Sequence, residues 1–387
     1  MGKKCMEWIK KEAVLSIAVI LAFVSCFVVQ PDREYLEYID FRTLGILFCL
    51  MAVMAGFQKI GIFGQIAKAL LKRVKTVRML VLILVLLCFF FSMVITNDVV
   101  LITFVPLTFI VLGMTGEEIK KKLTVPVVVM QTIAANLGSM LTPIGNPQNL
   151  YLYGKSGMTL GSFMLLMLPY TAVSLVLLVL WCLCRKEERL ENPVMDFEQD
   201  GAAGIACEMK GSYNKALAAY LCLFALCILT VARMVPYGVT LVIVALVVFV
   251  LDRKVLGKVD YCLLMTFIGF FVFIGNMGRI PAFRHVLERM IEGNEVLTAV
   301  LSSQVISNVP AALLLSGFTQ KYEALIVGTN LGGLGTLIAS MASLISFKYL
   351  GKEDKGAKKK YLIYFTLANL AFLVVLLGFF YFTKNQV

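Results

Sequence analysis

The sequence predicts an all-α, polytopic membrane protein with two inverted repeats, each carrying a re-entrant hairpin and a broken transmembrane helix. Three observations predict it. First, hydrophobic residues make up 60% of 387 positions and mean hydropathy is +0.87. Soluble domains are about 45–50% apolar, and apolar runs of about 18–20 residues are the mark of spanning helices. Second, basic residues cluster between those runs, as at Lys68, Lys72, Arg73, Lys75 and Arg78, or at Lys352, Lys355, Lys358, Lys359 and Lys360. That is the positive-inside pattern. Third, Gly-, Pro- and Asn-bearing stretches interrupt the apolar runs at matched places in the two halves.

In order, Lys3, Lys4, Lys10 and Lys11 start the chain inside, and residues 13–30 cross outward. "FVSC" in this run resembles a cleavage site, but removing the run would upset the topology, so it is read as a retained span. The acidic loop "PDREYLEYID" lies outside and 41–58 return. "IFGQIAKALLKRVKTVR" is amphipathic and basic and belongs along the cytoplasmic interface. Residues 79–114 are apolar except for Thr96, Asn97 and Asp98 near the midpoint, with basic flanks on both sides. Two full crossings with an external turn fit, and so does a re-entrant hairpin.

Residues 124–150 cross outward and 160–183 return. Residues 185–213, of mixed charge with Gly201 and Gly204, form a cytoplasmic linker between a first repeat, 1–184, and a second, 214–387. The second half runs out over 214–232, in over 237–251 and out over 261–277. An amphipathic stretch, "RIPAFRHVLERMIEG", follows. Next comes an apolar run, 296–317, with Ser307, Asn308 and Pro310 at its centre, then crossings at 324–347 and 361–383.

Residues 136–150, "NLGSMLTPIGNPQNL", and 330–344, "NLGGLGTLIASMASL", match at six of fifteen positions with no gap and an offset of 194. Average composition gives about one match by chance. Matched Gly/Pro-interrupted segments in two inverted halves point to a transporter's site. Breaking the helix frees backbone N–H and C=O groups, which are costly in lipid unless they line a cavity or bind something. Half-helix N-termini suit an anion and freed carbonyls suit Na⁺. The amides of Asn97, Asn136, Asn146, Asn308 and Asn330 add donors and acceptors. The bland alternatives are close packing by glycine and interhelical bonding by asparagine.

Other classes are disfavoured. The net charge of +12 lies in loops, with no soluble domain to hold nucleic acid. Cys182 and Cys184 have no His or carboxylate at metal-ligand spacing, and His285 is the only histidine. "GTNLGGLGTL" lacks the spacing and context of a nucleotide loop. No His or paired carboxylate sits in the spans, which argues against an intramembrane enzyme. A channel remains a further alternative.

"ITNDVVLITFVPLTFIVLG" with "NLGSMLTPIGNPQN" resembles the ion transporter superfamily of divalent-anion/sodium symporters, citrate transporters, arsenite permeases and sodium/proton antiporters. The likeness covers most of the chain and is closest to small bacterial anion-transporter members. It implies that each half contributes a hairpin tip and an unwound helix to one site, and that a transport domain slides against a scaffold. The tips match at Thr96-Asn97-Asp98 and Ser307-Asn308-Val309. The unwound helix matches at Thr142, Pro143, Ile144, Gly145, Pro147 and Asn149.

The expected substrate and ion ligands are Thr96, Asn97, Asp98, Asn136, Thr142, Gly145, Asn146, Pro147, Asn149, Ser307, Asn308, Thr329, Asn330, Gly335 and Thr336. Na⁺ as a coupling ion is expected near Asn97, Asn136, Asn308 and Asn330, with no other cofactor or metal. Two departures matter. Asp98 replaces the hydroxyl of a dicarboxylate binder and, if ionised, would repel an anion, whereas Val309 removes a hydroxyl. Asp98 is therefore either a proton-coupling carboxylate or the cap of a helix beginning there.

The expected function is secondary transport of a small anion, inorganic oxyanion or carboxylate, coupled to Na⁺ or H⁺. The alternative is a metalloid exporter or sodium/proton antiporter. Expected partners are a small-molecule or ion substrate, the lipid bilayer and a second copy in a homodimer, not nucleic acid. The expected location is a bacterial inner membrane, with the N-terminus cytoplasmic.

Overall fold

A computed structural model describes residues 12–72, 74–185, 187–189, 210–354 and 356–384. The basic N-terminal stretch and most of the 185–213 linker lie outside the described residues. The described chain is helical with no named strand. The helices are α1 (Ala13–Val28), α2 (Glu34–Tyr38), α3 (Phe41–Ile60), α4 (Ile62–Leu71), α5 (Val77–Phe91), α6 (Asn97–Gly113), α7 (Glu117–Gly138), α8 (Pro147–Ser156) and α9 (Leu160–Leu183). After the linker come α10 (Lys210–Val231), α11 (Tyr237–Leu256), α12 (Tyr261–Gly278), α13 (Pro281–Ile291), α14 (Glu295–Ile306), α15 (Asn308–Ser316), α16 (Tyr322–Gly332), α17 (Met341–Glu353) and α18 (Lys358–Lys384). Six described helices are long and apolar enough to cross a membrane, so the chain is an all-α polytopic membrane protein.

Local chemistry sets the boundaries. Asp40 caps α3 by accepting the Thr43 N–H at 3.0 Å, and Asp260 caps α12 by accepting the Leu263 N–H at 2.9 Å. Both use the ordinary N-cap geometry. Gly61, at φ +77°, ends α3 and turns the chain into α4. That helix buries Phe63, Ala67 and Leu71, spaced by four as a one-faced amphipathic helix requires. Pro147 opens α8, where its missing N–H costs nothing.

The hairpins are α5–α6 and α14–α15. The arms of the second have 12 and 9 residues, about 18 and 14 Å at 1.5 Å per residue. Neither crosses a hydrocarbon core of about 30 Å. The arms of the first, 15 and 17 residues, also fall short, at about 23 and 26 Å. Its turn buries Ile95 and Asn97 against the rest of the protein. Short arms and these buried turn residues are features that the re-entrant reading of 79–114 expects.

With α10 counted as an extra span at the start of the second half, packing pairs the two halves reciprocally. The span that opens the chain, or follows the extra one, lies against the second span of the other half, α1 on α12 and α11 on α3. Likewise α6 packs on α17 and α15 on α8. The rims carry ion pairs: Arg78–Glu187 and Lys122–Glu188 at 3.3 Å, Lys120–Glu353 at 3.1 Å, Lys59–Asp252, Arg279–Asp32 at 2.6 Å and Lys321–Glu295 at 2.7 Å. The interior between them is held by apolar contact and neutral hydrogen bonds.

Candidate functional site

Both long helices expected to break do so, and the breaks keep the 194-residue offset. Helix α7 ends at Gly138 and α8 begins at Pro147, while α16 ends at Gly332 and α17 begins at Met341. The hairpin tips keep a second offset, 211, between Asn97 and Asn308 as first residues of α6 and α15. Equivalent bonds tie tip to break. The Asn97 N–H donates to the Gly145 carbonyl at 3.2 Å, and the Asn308 N–H to the Ala339 carbonyl at 3.0 Å. The Thr142 hydroxyl donates to the Met93 carbonyl at 2.6 Å, and that of Thr336 to the Gln304 carbonyl at 3.1 Å.

Close approach explains two glycines. A Cβ on Gly138 would strike the Phe89 carbonyl oxygen and Ser92 Oγ. One on Gly332 would strike Ser303 Oγ and the Val300 backbone. Phe89 and Ser92 shift by 211 onto Val300 and Ser303, so each hairpin's first arm seats the glycine before the break in the same way.

Asn136 is where three elements meet. Its Oδ1 accepts from Asn97 Nδ2 and from Ser340 Oγ, both at 3.0 Å, and its Nδ2 donates to the Gly333 carbonyl at 3.4 Å. The first tip and both broken helices are thereby joined through one side chain. A second junction lies at Asn330, whose Nδ2 donates to Asn149 Oδ1 at 2.7 Å. Asn149 in turn donates to the carbonyls of Ser139 and Thr142, both at 3.3 Å. Asn146 donates to Ser139 Oγ at 2.6 Å. All of these side chains are buried, and buried amides need such partners.

The remaining expected ligands divide. Ser307 sits at the second tip with φ +73° and ψ 155°, a backbone region nearly reserved for glycine and found at functional sites. Its hydroxyl donates to the Ala339 carbonyl at 3.4 Å, and Asn308 is buried beside it. Gly335, at φ +113°, lies against the Gln304 side chain. Thr329 does not join the network: its hydroxyl bonds back to the Leu325 carbonyl of its own helix at 2.7 Å.

Asp98 is not the cap of α6. The helix starts one residue earlier, and Thr96 holds the cap position without a side-chain bond. Asp98 is in the first turn, with its N–H held by Asn97 Oδ1 at 2.9 Å. A carboxylate there complements the helix dipole. Its own Oδ1 is buried without a hydrogen-bond partner. The side chain lines a cavity of about 140 Å³ with Thr96, Asn146, Gln58, Lys258 and Asp260. This cavity lies between the first tip and helices α3 and α12.

Some contributors were missing from the sequence reading. Gln304 bridges the carbonyls of Gly332 and Leu334, at 3.0 and 2.8 Å, across the second break. Gln148 is buried with neither amide atom partnered, and Ser343 Oγ and Asn330 Oδ1 are also unpartnered. Ser340 and Ser343 stand at offset 194 from Asn146 and Asn149, so the alignment held the signal. The change of residue type hid it.

A family model described as citrate transporter matches residues 5–321. The chain belongs to the citrate transporter family. It is similar to the inner membrane protein YbiR of Escherichia coli, 31% identical over 334 residues and 84% of each chain. An uncharacterized transporter of Methanocaldococcus jannaschii is also 31% identical, over 86% of this chain and 87% of its own. The silicon efflux transporter LSI3 of Oryza sativa is 29% identical over 180 residues, 46% of this chain and 35% of its own. The citrate transporter relationship makes this chain a membrane transporter, and the broken helices and tips are its candidate site.

Proposed function

We propose that this family member is a secondary active transporter of a small anion, an inorganic oxyanion or a carboxylate, coupled to Na⁺ or H⁺. Residues 1–184 and 214–387 are inverted repeats, and the N-terminus is cytoplasmic in a bacterial inner membrane. The hairpins and broken helices move as one body against α1, α3, α11 and α12 in an elevator-type cycle. The observation that carries this reading is the paired tip-to-break bonding at two constant offsets. Two structures that cannot span the membrane and two interrupted helices converge on one buried set of amides. That arrangement exposes backbone dipoles at mid-membrane, which is how discontinuous helices hold ions and substrate.

Unpartnered buried polar atoms cost about 1–3 kcal/mol each. Those of Gln148, Ser343 and Asn330 therefore suit a hydroxylated or oxyanionic substrate that supplies both donors and acceptors. Asp98 supports a second reading, proton-linked export of a metalloid acid or sodium/proton exchange. It has an unpartnered oxygen beside a cavity that also holds Lys258 and Asp260, and one relative carries the name silicon efflux transporter. Uptake into proteoliposomes tests both. A panel of oxyanions and carboxylates is offered under separately imposed Na⁺ and pH gradients. Accumulation of an anion down an inward Na⁺ or H⁺ gradient supports symport. Substrate movement that responds to neither gradient overturns coupling.

A further inference from the structure

A second cavity, of about 270 Å³, shares no lining residue with the amide network. Its lining is entirely apolar, and its walls come from α3, α4, the end of α5 with its tip, and α10. They include Phe57, Phe63, Phe91, Val94, Leu221 and Phe224. We propose that this cavity is a lipid site that holds one acyl chain of an anionic phospholipid.

The medium and the lining argue for it together. Val94 is 47% and Leu221 50% exposed, so the mouth opens on the face that meets the bilayer. Water needs two to four polar partners to occupy such a space, and apolar cavities of about 150 Å³ stay dry and accept apolar guests. Here the lining offers no polar side chain. Collapse is resisted by rings braced against one another. Phe57 meets Phe63 and Phe224 with centroids 6.1 Å apart, and Phe63 meets Phe91 at 5.8 Å, all edge-to-face. A methylene chain entering from the bilayer fits that space without leaving its own medium.

Charge selects the headgroup. The cavity abuts Ile62, Phe63 and Ile66 of α4, an interfacial helix by its one buried stripe. Lys72 and Lys75 follow its end and are exposed. Basic residues at that depth attract anionic headgroups. The walls belong partly to the hairpin and partly to α3, α4 and α10, so a bound chain lies in the seam between the two bodies.

Native mass spectrometry of the full chain, offered equal phosphatidylglycerol and phosphatidylcholine, tests this. One phosphatidylglycerol should be retained in preference. Filling the mouth with Val94→Trp and Leu221→Trp should cut that adduct at least tenfold, while Val250→Trp, on another exposed apolar face, should keep it. Lys72→Ala with Lys75→Ala should reduce phosphatidylglycerol to the phosphatidylcholine level. Should the filled variant not fold, a Phe224→Trp reporter in vesicles containing brominated-chain phosphatidylglycerol serves instead. Its quenching should saturate at low bromolipid fraction, whereas a Val250→Trp reporter should follow the bulk fraction. Retention of the adduct by the filled variant, or bulk-like quenching at Phe224→Trp, overturns the acyl-chain site. Equal retention of both lipids by the parent overturns the headgroup assignment.

Discussion

Replacing Asn136 with alanine should be among the most damaging single changes in the membrane interior. The side chain serves three partners: Asn97 Nδ2 and Ser340 Oγ at 3.0 Å and the Gly333 carbonyl at 3.4 Å. Losing a partner strands a buried donor at about 1–3 kcal/mol. Ser340 can rotate its hydroxyl, and the bond to Gly333 is long, so most of the cost falls on the Asn97 amide. The expected destabilisation is about 2–4 kcal/mol, at the upper end of ordinary point mutations. Asn136→Asp keeps the acceptor for Asn97 and Ser340 and loses the donor to Gly333, so it isolates the weakest bond, at the cost of a buried charge.

The assay is thermal unfolding of the purified protein, paired with uptake per folded molecule in proteoliposomes. Asn136→Ala should lower the melting temperature by a few degrees and reduce uptake at least tenfold. A double-mutant cycle with Asn97→Ala should be non-additive by about 0.5–3 kcal/mol, as expected for residues that share a bond. Additive effects of the two changes, or parent-like melting and uptake for Asn136→Ala, would refute the junction.

Other expectations follow from single contacts. Asn97→Ala and Asn308→Ala should each abolish uptake and leave the protein folded, as checked by size-exclusion profile and transport; normal uptake by either removes that tip from the site. Gly138→Ala should cost more stability than Gly332→Ala, because its new Cβ would meet the Phe89 backbone carbonyl whereas that on Gly332 first meets the Ser303 side chain; parent-like melting of Gly138→Ala would show that the first arm does not seat this glycine. Asp98→Asn should preserve folding and substrate binding but lose gradient-driven accumulation, since Asn cannot carry the proton or charge; uptake that still follows an imposed gradient removes Asp98 from coupling. Outside the spans, the Arg279 guanidinium holds the Asp32 carboxyl below its usual value of 3.8. Its contribution is therefore present above that value and fades as pH falls through the depressed one. Asp32→Asn should remove this acid-side dependence of melting, and an unchanged pH profile would show the pair to be inert.

Much of the architecture was legible because membrane burial simplifies the reading. With lipid outside, a run such as 160–183 has few alternatives to a helix, and breakers at 138–147 have few reasons to exist other than a site. The tips were legible for the same reason: Asn97 and Asn308 are amides near the centres of largely apolar runs. What the pattern did not carry was pairing across the chain. Nothing in residues 13–28 announces α12 as their neighbour, since the polar pair that joins them, Asn276 Nδ2 donating to Ser25 Oγ at 2.9 Å, takes one residue from each of two largely apolar helices. Gln304 was missed because its role depends on carbonyls almost thirty residues away, freed only once the second helix breaks. The role of Asp98 turned on a single residue of helix register, which sequence patterns do not resolve.

The two halves share a backbone plan but not a chemistry. Asp40 and Asp260 are 220 residues apart, and both cap the second span of their half. Asp98 and Val309 are 211 apart, and both follow the tip asparagine. The correspondence that sets Asp98 and Asp260 around one cavity therefore pairs Asp40 with Val309. Asp98, Asp260 and the Lys258 ammonium line that cavity, whereas the corresponding positions hold one capping carboxylate, Asp40, and a valine. Neutral amides recur on both sides, at Asn136 and Asn330 and at the two tips. A carboxylate that must change protonation or bind a cation in each cycle needs to do so only once per substrate. A symmetric second carboxylate would add a buried charge whose desolvation cost recurs in every conformation. Under the proposed function, the paired amides would serve substrate contact in both halves, and coupling would be confined to the half that holds Asp98.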